Sequence, residues 1–252
     1  MEKPKKGMEQ KMKNETKTED RKFFEKEYYN QTDYFDKQSD VFLNLNSRFQ
    51  RYRIKNVLSI YTPKPDEVVL DIGCAWGTFE FVLAGKVKKI IGLDISEKSI
   101  ELCNRVAKEK NIVGVEFVCE DARNMSFADE SIDTIICADV VEHLYPDIFE
   151  DVMKECHRVL KKGGKFIIWT PNRGHILEIL KNHNIILKKD PAHVDYKSMK
   201  RIVSFLETIG FKILKQEYRS SHIPIFNIFE KVFQSFVPIL RRRIAVLAEK
   251  VQ

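Results

Sequence analysis

The chain has 252 residues and a formal net charge of +6, and its 43% hydrophobic and 32% charged residues are those of an ordinary globular protein. This length suits one well-filled domain with additions. No apolar run approaches the roughly 20 residues that a membrane-spanning helix needs, and the amino terminus lacks the apolar centre of a signal peptide. Five cysteines without a CxxC pair favour reduced thiols, so we expect a cytoplasmic protein.

The first 62 residues are predicted to precede the main fold. Residues 1–22 are charged and polar without a hydrophobic period, so we expect a disordered tail there. Residues 23–62 carry many aromatic side chains and then an amphipathic pattern that Pro63 ends, which predicts a helical cap. The aromatic part forms either a lid over the sheet edge or a wall of a ligand pocket, and the candidate wall residues are Tyr28, Tyr29 and Tyr34.

Residues 63–219 are predicted to form the core of the fold. Six short runs rich in apolar and β-branched residues are typical of strands, and most of the segments between them have the spacing of amphipathic helices. The predicted strands begin at Val68, Lys89, Val115, Asp133, Lys165 and Phe211. This alternation predicts an α/β fold with a doubly wound, mainly parallel sheet.

The stretch VVLDIGCAWGTFE, residues 68–80, predicts a strand, a tight turn and a helix around a ligand. Gly73 and Gly77 permit a sharp bend and a close approach of the backbone to that ligand. The N–H groups that open the following helix are directed at the turn. Position 75 is Ala and no Lys follows Gly77, so the turn matches neither a dinucleotide fingerprint nor a P-loop. A nucleotide-type pocket that does not bind a pyrophosphate is therefore expected.

The first three predicted strands each end in an acidic residue. Asp71 ends the first strand, Asp121 ends the third, and Asp94 ends the second, where it can accept hydrogen bonds from ribose hydroxyls. The pattern Asp-x-Gly-x-x-x-Gly, followed by these acids in order, resembles the class I S-adenosylmethionine-dependent methyltransferases. The resemblance extends over about residues 52–214.

This resemblance implies a Rossmann-like sheet of seven strands with an antiparallel last strand, S-adenosylmethionine as the cofactor, and methyl transfer as the activity. The cofactor-binding residues that it implies are Asp71, Gly73, Cys74, Gly77, Asp94, Ile95, Asp121, Ala122 and Asp139. Among them, Asp121 would contact the adenine amino group, and Ala122 would contribute a backbone contact.

The carboxyl-terminal region contains a predicted insertion and the predicted last strand. Residues 220–243 combine phenylalanine and isoleucine with an arginine run, which predicts an apolar and basic helical insertion or lid. This composition suits a lid packed on the protein, and it equally suits a peripheral contact of residues 223–243 with an anionic membrane face. Residues 244–252 are predicted as the final strand and the carboxyl terminus, although IAVLAEK also suits a continued helix.

The sequence ADVVEHL, residues 138–144, follows the fourth strand and resembles a Glu-x-x-Glu-His signature. That signature ligates Mg²⁺ in the ubiquinone-pathway O-methyltransferases and in the enzymes that methylate the terminal 2′-hydroxyl of small RNAs. Carried over by position, the metal ligands would be Asp139, Glu142 and His143, joined by the later His193. Asp139 is one methylene shorter than the Glu of the signature, which weakens the case for a metal. Without a metal, Glu142 and His143 are the predicted catalytic residues, with His143 as base or orienting group, and a purely structural role is the third alternative.

The favoured function is methyl transfer from S-adenosylmethionine to an oxygen, or with less support a nitrogen, of a small or lipid-like acceptor. An RNA 2′-O-methyltransferase with a divalent metal site is the enzymatic alternative, although the sequence contains no recognisable RNA-binding module. A non-catalytic protein that binds S-adenosylmethionine is the alternative from another class. No sequence feature indicates an oligomeric state.

Overall fold

The computed structural model describes residues 29–30, 44–185, 190 and 192–252. The predicted tail of residues 1–22 lies outside the described residues, as do Tyr28 and Tyr34, whereas Tyr29 lies inside them. Among the described residues, no helix is both long enough and apolar enough to span a bilayer.

A seven-stranded sheet forms the centre of the molecule, with the strand order β3-β2-β1-β4-β5-β7-β6. The strands are β1 (Val68–Ile72), β2 (Lys89–Asp94), β3 (Val115–Cys119), β4 (Ile132–Ala138), β5 (Leu160–Pro171), β6 (Phe211–Arg219) and β7 (Arg243–Lys250). The first five strands pair in parallel, and β7 runs antiparallel between β5 and β6. The predicted α/β fold with a doubly wound, mainly parallel sheet is therefore confirmed.

Helices cover both faces of this sheet. They are α1 (Arg48–Ile60), α2 (Thr78–Leu83), α3 (Glu97–Glu109), α4 (Pro146–Val159), α5 (Ile176–Asn182), α6 (Met199–Thr208) and α7 (Phe226–Phe233). Successive side chains of a strand point to opposite faces, so Leu70 packs in the core cluster that contains α4 and α6 residues, and Val69 packs in the cluster that contains α1 and α2 residues. Both residues are fully buried.

The register of the sheet determines which residues reach its functional edge. In β7, Arg243 pairs with Pro171, the last residue of β5, and Ile244 pairs with Thr170. The antiparallel direction of β7 therefore places its first residue beside the carboxyl end of β5. Parallel strands β1, β2 and β4 end at the same edge, which is where ligands bind in open α/β sheets.

Candidate active site

A cavity of about 400 Å³ lies at the carboxyl ends of the parallel strands, and this volume is within the range of ligand pockets, roughly 300–1,000 Å³. Two sets of residues line most of it. The first set, the turn wall, consists of Gly73, Cys74, Ala75, Trp76, Thr78, Asp94, Ile95 and Ala122. The second set, the polar wall, consists of Arg53, Asp139, Glu142, His143, Glu178, His193, Arg242 and Arg243.

The turn after β1 has a backbone shape that few side chains tolerate. The N–H groups of Gly73 and Cys74 both donate to the carbonyl of Leu93 in β2, at 2.7 and 3.0 Å. Gly73 has φ +70°, and a Cβ atom there would lie 2.6 Å from Cγ2 of Val140. Ala75 also has a positive φ, at 47°, a region that costs an alanine about 1 kcal/mol or more. The turn is thus tied to β2 and packed against the loop after β4.

Asp94 joins the turn to the second strand through its carboxylate. Its Oδ2 accepts from the N–H of Ala75 at 3.0 Å, and its Oδ1 accepts from the N–H of Ser96 at 2.9 Å. Burial raises the pKa of Asp94 to about 6, because these backbone hydrogen bonds offset only part of the cost of removing the charge from water. Each carboxylate oxygen has capacity for further donors, so Asp94 can accept ribose hydroxyls in this cavity.

The predicted cofactor-binding residues fall into two groups in the structure. The residues that line the cavity are Gly73, Cys74, Asp94, Ile95, Ala122 and Asp139. Asp71, Gly77 and Asp121 do not. Asp71 is buried next to Glu80, and burial raises the pKa of Asp71 to about 7. Gly77 has φ +71° and forms the N-cap of α2.

Asp121, which is predicted to contact adenine, does not line the cavity. Its carboxylate pairs with the guanidinium of Arg123, at 2.5 Å between Oδ2 and Nη2. Its neighbours Glu120 and Ala122 line the cavity instead. The sequence alone does not show which of the three residues that follow β3 face the cavity.

Asp139 is held between two arginines that come from distant parts of the chain. Nε of Arg53 lies 2.8 Å from Oδ2 of Asp139, and Nη1 of Arg243 lies 2.5 Å from Oδ1. Burial opposes ionisation of Asp139, but the charges of Arg243 and Arg53 outweigh it and lower the pKa of the carboxyl group. Asp139 itself has φ +61°, an uncommon backbone conformation for a residue with a side chain.

A 3₁₀ turn of residues Val141–His143 follows Asp139, and a buried lysine fixes it. Lys197 is 1% exposed and donates from Nζ to the carbonyl of Val141 at 2.7 Å and to the carbonyl of Leu144. Burial lowers the pKa of Lys197 to about 8. The backbone carbonyl of Glu142 accepts from the N–H groups of Val194 and Asp195, at 3.0 and 3.2 Å. These bonds position the two predicted catalytic side chains.

Glu142 and His143 both favour the neutral form. Burial raises the pKa of Glu142 to about 8, and the nearby charge of Asp139 adds to this effect. Oε2 of Glu142 accepts from the hydroxyl of Thr170 at 2.9 Å. Burial also lowers the pKa of His143 below its usual value, and its Nδ1 is shielded from solvent without a hydrogen-bond partner among the described residues.

His193 lies beside His143 and begins a series of hydrogen-bonded polar side chains. The two imidazole rings meet edge to face with centroids 4.8 Å apart. Nδ1 of His193 is 2.7 Å from the hydroxyl of Tyr196, which donates to Oε2 of Glu178 at 3.1 Å. Glu178 in turn pairs with Arg242. Burial, followed by the neighbouring His143, lowers the pKa of His193 to about 4, so both rings are neutral near pH 7.

The residues present do not fit the predicted Mg²⁺ site. In the part of the chain that the structure describes, the only group of three that could share a metal ion is Glu142, His143 and His193, whose donor atoms lie within 4.8 Å of one another. Asp139 is outside this group, because both of its oxygens are engaged by arginines. One carboxylate and two imidazoles are a poor match for Mg²⁺, which prefers oxygen ligands. The structure thus lends no support to the four-ligand set.

The arginines are the main functional residues that the sequence interpretation missed. Arg53 lies on the same face of α1 as Val57 and Ile60, which are both buried. A charged residue at the helical spacing of buried apolar residues is the sequence feature that could have identified it. Arg242 and Arg243 belong to residues 223–243, for which the sequence leaves open a contact with a membrane face, but these two side chains are buried in the protein. They are 8% and 9% exposed and line the cavity.

Comparisons with known proteins agree with this architecture. A family model described as "Methyltransferase domain" matches residues 70–168. The chain is 31% identical over 137 residues to the uncharacterized methyltransferase YcgJ of Bacillus subtilis, in a match that covers 52% of this chain and 51% of that protein. It is 32% identical over 142 residues to a demethylmenaquinone methyltransferase of Bacillus cereus, with coverage of 54% and 59%. The matches thus span only about half of each of these relatives.

Solved structures extend the likeness to most of the fold. A SAM-dependent methyltransferase from Archaeoglobus fulgidus superimposes with a TM-score of 0.66 at 23% identity, covering 86% of this chain and all of that one. The domain match includes β1, β2, β3 and β4, whose ends form the turn wall and begin the polar wall. Residues 70–168 thus match the methyltransferase-domain family, and most of the chain shares the fold of a solved SAM-dependent methyltransferase.

Proposed function

We propose that this protein transfers a methyl group to a hydroxyl oxygen of a small or lipid-like acceptor that binds against the polar wall. The observation that supports this most is the position of His143. Its neutral imidazole, with an unpaired Nδ1, lines the same cavity as the glycine turn and Asp94. A proton acceptor and the edge proposed to bind the nucleoside thus share one cavity.

S-adenosylmethionine, when bound, supplies a methyl group on a sulfonium that is already activated for transfer. The residues of the turn wall that would hold it are Gly73, Asp94 and Ala122, and the polar wall would orient the acceptor. On transfer, the methyl carbon would bond to the acceptor oxygen as its bond to sulfur is lost, and the electron pair of that bond would remain on sulfur. The neutral imidazole of His143 takes the hydroxyl proton.

The choice of acceptor class draws on the relatives. Several of them are named demethylmenaquinone methyltransferase, a name that supports a naphthoquinol-type acceptor molecule but does not bear on oxygen as the methylated atom. The charged side chains of the polar wall suit a polar or phenolic head rather than an alkyl chain. Naphthoquinols and simple phenols are therefore suitable probes.

The test uses S-adenosylmethionine labelled in its methyl group, a panel of naphthoquinols and phenols, and the variant His143→Gln. We expect label transfer by the wild type, and a rate for His143→Gln that is lower by about 10² to 10⁴ with unchanged cofactor affinity. His183→Gln, at an exposed position outside the cavity lining, is the matched control. Equal rates for His143→Gln and wild type would contradict the proposed role. Cofactor binding without label transfer to any probe would instead favour a non-catalytic binding protein.

A further inference from the structure

Helix α7 has its polar side chains inside and its apolar side chains outside. Glu230 is fully buried, and Asn227 and Gln234 are half-buried, at the spacing of one helix face. Apart from the half-buried Phe226, the apolar residues of this helix are exposed, as are most of those that flank it. This is the reverse of the arrangement of a helix that packs on a protein core, where the apolar stripe faces inward.

Buried polar bonds hold the inner face of α7 to the protein. Oε1 of Glu230 lies 2.8 Å from Nε2 of His175, and Oε2 of Glu230 accepts from the N–H of Ser221. Nδ2 of Asn227 donates to Oγ of Ser220 at 3.0 Å. A charged residue that is buried and fully paired fixes the orientation of a helix, because turning it outward would leave His175 without its partner. The outward direction of the apolar face is therefore built into the packing.

The exposed apolar face is large and concentrated. Of the thirteen large hydrophobic residues that are exposed in the described part of the chain, nine lie within residues 223–239. Ile228 and Val232 are 65% and 58% exposed and lie one turn apart on α7, and Ile225 and Phe236, just outside its two ends, are 82% and 85% exposed. Exposed patches of this kind mark interaction surfaces, because isolated exposed apolar residues are common but contiguous ones are not.

The charges around this face are of one sign. Glu230 is the only acidic residue between positions 220 and 243, and it is buried. Lys231 is exposed on α7, and Arg241 is half-buried at the end of this segment, where it donates to the carbonyls of Gln234 and Ser235. An apolar surface with flanking cations and no exposed carboxylate complements the interface of an anionic lipid bilayer, in which acyl chains lie beneath phosphate groups.

We propose that the outward face of residues 223–239 is a docking surface for a lipid bilayer that contains anionic lipids. The phenylalanines and isoleucines enter the boundary between headgroups and acyl chains, while Lys231 and Arg241 contact lipid phosphates. A second copy of the chain fits this surface less well than a bilayer does. Pairing two such surfaces would bring both Lys231 side chains into one interface, and this segment offers no exposed carboxylate to neutralise them. Ser221 and His222 line the cavity and directly precede the docking surface, so docking holds the cavity close to the lipid headgroups. This inference does not depend on methyl transfer.

The test is sedimentation of the full chain with vesicles of phosphatidylcholine, with and without phosphatidylglycerol. The variant Ile228→Gln/Phe236→Gln removes two exposed apolar side chains, and Val113→Gln/Val251→Gln, which changes residues that are 78% and 47% exposed elsewhere, is the matched control. We expect the wild type and the control to sediment with phosphatidylglycerol vesicles, and the Ile228/Phe236 variant to bind at least about tenfold more weakly. Lys231→Gln should weaken binding to the anionic vesicles only.

Three results would overturn the proposal. The first is a wild type that stays in the supernatant with both kinds of vesicle. The second is equal binding by the wild type and the Ile228/Phe236 variant. The third is a wild type that does not bind vesicles but forms a dimer in sedimentation velocity, while the Ile228/Phe236 variant is a monomer. The surface would then serve self-association. Circular dichroism of each variant confirms that the fold is retained.

Discussion

The turn wall comes mainly from one short stretch, residues 73–78, with Asp94, Ile95 and Ala122 beside it, whereas the polar wall is assembled from side chains of five separate parts of the chain. In the turn wall, the N–H groups of Gly73 and Cys74 are tied to β2, and the N–H of Ala75 is tied to Asp94. In the polar wall, buried charges are paired across long sequence separations, as Asp139 is with Arg243. The first wall therefore depends on backbone conformation, and the second depends on charge balance.

This difference predicts how each wall responds to substitution. A change in the turn wall acts through steric contact and backbone strain close to the changed residue. A change in the polar wall leaves a largely buried charge without its partner. Substitutions that separate these effects test this difference between the two walls.

Asp139→Asn should be the most destabilising, because it leaves Arg53 and Arg243 as two buried guanidiniums without their shared carboxylate. We expect the free energy of unfolding in urea to fall by about 3 kcal/mol. Asparagine tolerates the positive φ of this position, so the loss reports charge rather than backbone strain. Asp129→Asn, at an ion pair whose carboxylate is 74% exposed, is the control and should change stability by less than about 1 kcal/mol. Equal losses at the two sites would remove the distinction between the walls.

Gly73→Ala should strain the turn wall, because the new Cβ would lie 2.6 Å from Val140 at a residue with φ +70°. We expect a loss of about 2 kcal/mol in unfolding free energy and a weaker affinity for S-adenosylmethionine. Gly85→Ala is closely matched, since Gly85 has φ +71° but no atom within 4 Å of its built Cβ. The two variants differ only in the steric contact. Denaturation and calorimetry should therefore show a smaller change for Gly85→Ala, and a retained cofactor affinity.

The pH dependence of cofactor affinity should report Asp94. Its carboxyl group has a pKa of about 6 in the free protein, and hydroxyl donors from the cofactor's ribose favour its ionised form. Affinity should be constant above that pH and should fall below it, by up to about tenfold per pH unit. Asp94→Asn should bind more weakly and lose this dependence. An unchanged pH profile in Asp94→Asn, measured by calorimetry between neutral and acidic pH, would show that another group is responsible.

Ala75→Gly should have the smallest effect and the opposite sign. Ala75 has φ +47°, so glycine relieves backbone strain, while its greater freedom in the unfolded chain offsets part of the gain. We expect the free energy of unfolding to rise by about 0.5 kcal/mol. Ala84→Gly, where φ is −49°, is the control and should destabilise by a similar amount. A destabilised Ala75→Gly would show that the turn is unstrained at this position.

The same contrast explains what the sequence could predict. The strands and the glycine turn depend on local patterns, so the fold class and turn-wall residues such as Gly73 and Asp94 were accessible from sequence. The pairing of Asp139 with Arg53 and Arg243 depends on the register of β7 against β5 and on the phase of α1, which no local pattern specifies. For the same reason, no local pattern indicates that Lys197 is buried and fixes the 3₁₀ turn of residues 141–143. The apolar segment around α7 was visible as composition, but its inside-out orientation depends on the distant His175.

The central claim is that the carboxyl edge of this sheet binds S-adenosylmethionine through the turn wall. Calorimetric titration of the full chain with S-adenosylmethionine and with its demethylated product, for the wild type and for Asp94→Ala, tests it most directly. We predict saturable binding of both ligands by the wild type, and an affinity at least about tenfold lower for Asp94→Ala, because a charge-assisted hydrogen bond to the ribose is lost. Absence of binding by the folded wild type, or equal affinity in Asp94→Ala, would contradict the claim.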